Sequence, residues 1–237
     1  MVMPILVSVL GLLVGGFLNS FAYRLEKSRD FFSPIHCRHC HHSLIWKDVI
    51  PVISWLYFKA KCRYCNGKLT PLYPFVELFM MGYSLLVYLY IPLSIQTVLI
   101  LILGFCAMAL SLVDIRSFRL PNNLIVMLGI SGLIWCFHEP TQALVDVSIL
   151  VLVGAGLKYG FEKTLKIPSL GWGDVKLMAV SGLWIDTYDI PVYLILSGVL
   201  GIGTAFIWQT RTKSKIFPFA PALSAALLGT VWWRLLT

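Results

Sequence analysis

The stretch MPILVSVLGLLVGGFLNSFAY, Met3 to Tyr23, decides the fold class. It runs for about 20 residues without a charged side chain, the length an α-helix needs to cross the hydrocarbon core of a bilayer. No Lys or Arg precedes it, whereas Arg24, Lys27 and Arg29 follow directly. A secretory signal peptide carries its positive charge first, so this run reads as a retained anchor with its N-terminus outside.

Comparable apolar runs recur near 73–91, 94–113, 120–137, 142–160, 189–209 and 217–236, with a shorter one near 174–185. The last of these is shorter than a span and reads equally as a half-helix or re-entrant segment. The 237 residues are 58% hydrophobic and 13% charged, whereas a soluble domain carries roughly 25% charged residues. A large soluble core does not need run after run without a charge. The expected fold is therefore an all-α polytopic membrane protein of about eight transmembrane helices, with a small cytoplasmic domain between the first two.

The net charge of +8 raises a nucleic-acid partner, but the charges are not interleaved along exposed elements as such a surface requires. They sit in short loops: Arg116 and Arg119, then Lys158, Lys163 and Lys166, then Arg211, Lys213 and Lys215. Alternating the runs across the membrane puts every cluster inside and leaves only Arg234 on the other face, beside Glu139, Asp186 and Asp189. That is the positive-inside pattern. The expected partner of this surface is the lipid bilayer, with no nucleic acid. Gly11 with Gly15, and Gly156 with Gly160, offer small-residue faces for helix packing.

Between the first two runs stand Cys37-Arg38-His39-Cys40 and Cys62-Arg63-Tyr64-Cys65. Two CxxC pairs at this separation read as a four-thiolate zinc site, two tight knuckles that together present a tetrahedron of sulfurs. Such a site folds a segment too small and polar to build a core, because metal binding supplies the folding free energy. His36, His39, His41 and His42 crowd the first pair, and one of them can replace a cysteine or simply be solvated. Cys37 to His41 also satisfies the CxxCH haem-attachment pattern, but Asn66 breaks it at the second pair. A cytoplasmic location disfavours both haem attachment and structural disulfides. Cys106 and Cys136, inside apolar runs, read as small buried hydrophobes.

Few acids lie near the runs. Asp114 ends the third, where the negative end of the helix dipole makes a carboxylate poorly placed. Its bland reading is an interfacial acid paired with Arg116 or Arg119. Asp174 stands in Gly171-Trp172-Gly173-Asp174-Val175-Lys176, where an N-cap is the bland reading. The topology puts both aspartates on the cytoplasmic edge, where two converging carboxylates can share one proton, one acting as base on water and the other as acid. Glu77 reads as a charge at a helix N-terminus, and Asp146 as an acid at the outer edge.

At this point the chain resembles the bacterial type IV prepilin peptidases, which are similar to GxGD aspartyl proteases. The resemblance runs from about Gly11 to the end. It rests on Gly16-Phe17-Leu18-Asn19-Ser20 with Arg24, Asp48 to Trp55, the paired cysteines, Tyr73-Pro74-Phe75-Val76-Glu77-Leu78, Asp114 with Leu120-Pro121-Asn122, Gly171 to Lys176, and Phe217-Pro218-Phe219-Ala220-Pro221. It implies Asp114 and Asp174 as the catalytic pair. It also implies Cys37, Cys40, Cys62 and Cys65 as ligands of a structural zinc. The substrate it implies is a prepilin or pseudopilin, cut after glycine at the cytoplasmic face of the bacterial inner membrane. The freed amino group would then be methylated from S-adenosylmethionine. The implied organisation is a first transmembrane helix over 1–23, a cytoplasmic methyltransferase-associated domain over 24–72 and a transmembrane peptidase over 73–237. One departure bears on the methyltransferase half: many members have glycine between basic residues before the third cysteine, where this chain has Ala60. Two other classes compete. An ion-coupled transporter would place its acids near the midplane in repeated halves, and a non-catalytic zinc-ribbon membrane scaffold leaves the aspartate segments unexplained.

Overall fold

The computed structural model describes residues 2–26, 35–165, 170–214 and 216–237. Lys27, Arg29, Lys166 and Lys215, which contribute to the charge pattern, lie outside the described residues. All eight apolar runs form helices: α1 (Val2–Glu26), α3 (Leu72–Tyr90), α4 (Ile95–Ser117), α5 (Asn122–Trp135), α6 (Pro140–Leu165), α7 (Trp172–Ser181), α8 (Ile190–Thr212) and α9 (Ala220–Leu236). A five-residue helix, α2 (Ile53–Tyr57), lies in the cysteine segment. In hydrocarbon only a helix satisfies its own backbone, so apolar composition and helix coincide. Proline sets several starts: it caps α5 as Pro121, opens α6 as Pro140, and occupies the first turns of α8 and α9.

Five helices are long and apolar enough to cross a membrane: α1, α3, α4, α6 and α8. The remaining three are shorter. At about 1.5 Å per residue, the 14 and 10 residues of α5 and α7 fall short of the roughly 30 Å hydrocarbon core, whereas the 17 residues of α9 reach the lower end of the spanning range. The helices expected from the sequence are all present among the described residues, and five of them are long, apolar candidate spans.

Contacts divide the chain within α4 into Met1–Phe105 and Cys106–Thr237. In the first unit α1 packs along α3. A Cβ at Gly11 would lie 2.6 Å from the Met80 carbonyl, and one at Gly15 would lie 2.6 Å from Glu77 Cα. The two backbones touch because neither position carries a side chain. Leu18, Ala22, Val76, Met80 and Tyr83 fill the seam, while Val2, Met3, Ile5, Leu6 and Val9 remain exposed as a lipid-facing surface. The Tyr83 hydroxyl donates to the Ile100 carbonyl at 2.6 Å, its ring lying against Gly104.

In the second unit the short α7 packs against α5, α6 and α9. It buries Val175, Leu177, Met178 and Ser181, and the Tyr193 hydroxyl donates to Ser181 at 3.2 Å. After it, the buried Trp184 indole donates to the Leu128 carbonyl at 3.1 Å, against Gly132. Asp146, read as an acid at the outer edge, is buried and accepts a hydrogen bond from Thr187, which is in turn bonded by Gln142. Arg234, the one basic residue assigned to the outer face, forms an ion pair with Asp186 of that same face.

The two small-residue faces differ. Among the described residues, nothing approaches within 4 Å of a Cβ position at Gly156 or Gly160. Gly15→Leu therefore should destabilise the protein by about 3 kcal/mol, the upper range for overpacking. Gly156→Leu should stay within about 0.5 kcal/mol of the parent. Thermal unfolding of both variants in detergent checks the contrast.

Candidate active site and cysteine cluster

Asp114 lies one turn from the end of α4 and is 6% exposed. Its Oδ2 accepts the Ala220 backbone N–H at 2.9 Å. Ala220 is the first residue of α9, so a carboxylate at the wrong end of one helix sits on the positive N-terminus of another. The Phe217–Pro221 stretch thus supplies a donor to Asp114 across 106 positions of sequence.

Asp174 is the third residue of α7, and Gly171 is the N-cap. The carboxylate does not cap by position; its Oδ2 reaches back to accept the Gly171 N–H at 3.1 Å, the N3 half of a capping box. A Cβ at Gly171 would lie 3.1 Å from that same oxygen. A Cβ at Gly173 would lie 3.1 Å from the Leu120 side chain, so glycine lets the α7 start close on the segment that follows Asp114. Lys176 Nζ donates to Asn122 Oδ1 at 3.1 Å and ties the same two segments again. The structure thus brings together Asp114-to-Asn122 and Gly171-to-Lys176, and Asp114 acts on Asp174 as a neighbouring like charge.

Lys158 was read from sequence only as a loop cation. It is in fact buried in α6, where it donates to Glu162 Oε1 at 2.7 Å and to the Leu170 carbonyl at 2.8 Å. It also lies 5.3 Å from the Trp172 ring centre and acts on Asp174 as an opposing charge. It therefore clasps the residues either side of Gly171. The only sequence signal was its position, one turn before the end of an apolar run, where a lysine usually reaches for water.

The cysteine segment builds two like knuckles. Cys37 N–H donates to the His42 carbonyl and Cys62 N–H to the Gly67 carbonyl, both at 2.9 Å. His41 and Asn66 turn each knuckle at φ 56°. The four sulfurs of Cys37, Cys40, Cys62 and Cys65 gather within 4.8 Å of one another, close enough to hold one metal ion. No histidine belongs to this group among the described residues, and His39 Nε2 instead contacts the Lys68 carbonyl at 3.1 Å. The Cys65 thiol is pushed up to about 11: the Gly67 amide draws it down, while desolvation and the sulfurs of Cys40, Cys62 and Cys37 raise it. Metal binding here accordingly releases protons. Outside the cluster, Cys106 is buried as expected, whereas Cys136 is half-buried at the end of α5.

Ala60 has φ 58° and Lys59 φ 51°. Ala60 N–H donates to Trp55 and Lys59 N–H to Leu56, a Schellman closure of α2. The left-handed turn explains why glycine suits this stretch.

Glu77 lies inside α3 and is 7% exposed. Its Oε2 accepts the Val52 N–H at 2.7 Å, and Asn19 bonds the same carboxylate. Asn19 also donates to the Tyr73 carbonyl at 3.0 Å. Glu77 is therefore a tie between α1, α3 and the approach to α2 rather than a charge at a helix end.

Residues 9–91 match the bacterial Peptidase A24 N-terminal domain and residues 100–206 the type IV leader peptidase family. The chain is 30% identical to the type 4 prepilin-like proteins leader peptide-processing enzyme of Escherichia coli O78:H11, over 99% of this chain and 95% of the relative. It is 28% identical to the prepilin leader peptidase/N-methyltransferase of Aeromonas hydrophila, over 96% of this chain and 90% of the relative. With that of Stutzerimonas stutzeri it shares 30% identity over 95% and 89%. No solved structure matches the chain.

Replacing Ala60 by glycine should relieve the left-handed strain and stabilise the cysteine segment by up to about 1 kcal/mol, after allowing for the greater freedom of glycine in the unfolded chain. Unfolding of the metal-free protein, followed by cysteine accessibility, measures it.

Proposed function

The chain belongs to the type IV leader peptidase family, and on that footing we propose that it is a membrane-embedded aspartyl endopeptidase that cuts the leader from type IV prepilins or pseudopilins and then methylates the new N-terminus. The cut falls after glycine at the cytoplasmic face of the inner membrane, and Asp114 and Asp174 perform it. The observation that carries this reading is the meeting of the two aspartate segments around Gly173 and Asn122.

Two neighbouring carboxylates share one proton and titrate as a unit. The ionised member takes a proton from water, and the water oxygen attacks the glycine carbonyl carbon. The protonated member gives its proton to the carbonyl oxygen. Collapse breaks the C–N bond, and a proton passes to the leaving nitrogen, which leaves as a free amino group. The Ala220 amide holds Asp114 and the Gly171 amide holds Asp174 throughout. Lys158 acts on Asp174 through the turn it clasps, as a positioning residue.

The four cysteines fit zinc, whose tetrahedral preference suits four thiolates. Zinc would stabilise the 24–72 segment and take no part in cleavage. S-adenosylmethionine, when bound, supplies a methyl group on a sulfonium. That methyl group would go to the freed amine of the substrate, with the amine proton passing to solvent.

Asp114→Ala and Asp174→Ala should each lower prepilin cleavage at least about a thousandfold, as loss of one member disables the pair, while membrane insertion is unchanged. Cleavage of a purified prepilin by the purified variants decides it, and retained activity in either removes that residue from the mechanism. Cys62→Ser should cut bound zinc and methylation strongly with a smaller effect on cleavage; metal analysis showing equal zinc would refute the ligand assignment.

A further inference from the structure

The segment that follows Asp114 has two neighbours. Through Leu120 it meets Gly173 and the start of α7. Through Phe118 it meets the last turns of α8, where the Phe118 and Trp208 rings stand edge to face with centroids 5.7 Å apart. Phe118 is tied to Asp114 by its backbone as well, its N–H donating to the Asp114 carbonyl at 2.9 Å. Trp208 is tied to the same place by its helix. Seven residues earlier on α8, and so on nearly the same face, Gly201 lies against the Phe219 ring, where a Cβ would come within 2.5 Å of Cε2. Phe219 directly precedes Ala220, the donor to Asp114.

Cleavage as proposed uses neither Phe118 nor Trp208, and packing leaves a feature of each unexplained. The Trp208 indole N–H is buried, yet it has no hydrogen-bond partner among the described residues. A tryptophan near the end of a membrane helix ordinarily turns its N–H toward the headgroups; this one is shielded from them by the protein itself. Buried donors are nearly always satisfied, so this N–H calls for an acceptor brought by another molecule. Phe118 has φ 52°, the left-handed conformation that glycine or asparagine ordinarily supplies at a helix end. The strained turn holds an aromatic residue beside Trp208 while leaving it 46% exposed.

We infer that Phe118 and Trp208 form the subsite that receives the leader of the substrate, with the Trp208 N–H donating to a main-chain carbonyl of that leader. The inference rests on the cleavage half of the proposed function. A substrate cut at the cytoplasmic face keeps its hydrophobic segment in the bilayer and its leader on the cytoplasmic side. The leader therefore passes the ends of α4 and α8, where this pair lies. Spacing sets the register. At roughly 1.5 Å per residue, Phe118 lies about 6 Å along the helix axis from Asp114, and Trp208 about 10 Å from Gly201. An extended chain advances about 3.3 Å per residue, so the pair stands opposite the second or third leader residue before the cut. Every residue of an extended chain carries a carbonyl. The donor thus reads the presence of a leader rather than its side chains, and the flat rings accept many side chains beside it.

Steady-state cleavage by the full-length protein in detergent tests this with two prepilins, one carrying its whole leader and one whose leader is reduced to the glycine before the cut. For the parent protein, KM should be about tenfold higher on the shortened substrate, the worth of one well-made hydrogen bond. Trp208→Phe, which keeps a ring and removes the N–H, should raise KM on the whole prepilin by about the same factor with kcat unchanged. On the shortened prepilin it should change nothing, so the two losses do not add. A Trp208 that only packed would weaken both reactions alike. Parent-like KM for Trp208→Phe on the whole prepilin, or equal losses on both substrates, overturns the inference and leaves the proposed function intact. If the variant unfolds at a lower temperature than the parent, crosslinking decides instead. Benzoylphenylalanine placed second or third before the cut, in a prepilin held uncut by the Asp174→Ala protein, should label Phe118 or Trp208, and label elsewhere overturns the inference. A parent protein that cuts neither prepilin overturns the proposed function and the inference with it.

Discussion

The Asp114 carboxylate sits near the C-terminal end of α4, where the helix dipole is against it, and the backbone N–H of Ala220 stabilises it there. Much of the second unit depends on this bond. It fixes the α9 start against the α4 end, and α9 in turn is one wall around α7. Moving α9 by a single residue would remove the donor and leave a buried carboxylate without it. The aromatic and proline residues ahead of Ala220 therefore act as an anchor for the acid, in addition to starting a helix.

The same principle, close approach secured by missing side chains, recurs at Gly173 beside Leu120 and at Gly15 beside Glu77. In the first place glycine brings a carboxylate-bearing segment against a side chain, and in the second against another backbone. Asp174 and Glu77 then find main-chain donors in Gly171 and Val52. In a chain whose apolar surface is turned to lipid, such acids are expensive unless bonded. Asp114, Asp174 and Glu77 are accordingly bonded to main-chain amides, and Asp146 to the hydroxyl of Thr187.

The cysteine segment follows a different logic. It is too polar to build a core, and its two knuckles are organised by backbone bonds that aim four sulfurs at one point. The Schellman closure at Lys59 and Ala60 joins α2 to the second knuckle, and thus joins Trp55 to Cys62. The cysteine knuckles and α2 are in this way one folding unit.

Helix positions, the four-cysteine cluster and the two aspartate segments were legible from sequence, because run length, CxxC spacing and residue type are local properties. Three-dimensional structure decided the rest. Only it showed that the helices α5 and α7 are shorter than a bilayer span, since an apolar run does not announce where capping prolines and turns will shorten it. Only it buried Asp146 and Lys158, both read as edge or loop charges, since burial depends on neighbours far along the chain. It turned Glu77 from a helix-end charge into a tie between elements, and Asp174 from a cap into a residue reaching back to one. The clearest case is Asp114. Sequence marked it as a misplaced acid, and the donor that accounts for it lies 106 residues away, a separation that no local pattern spans and only packing can close.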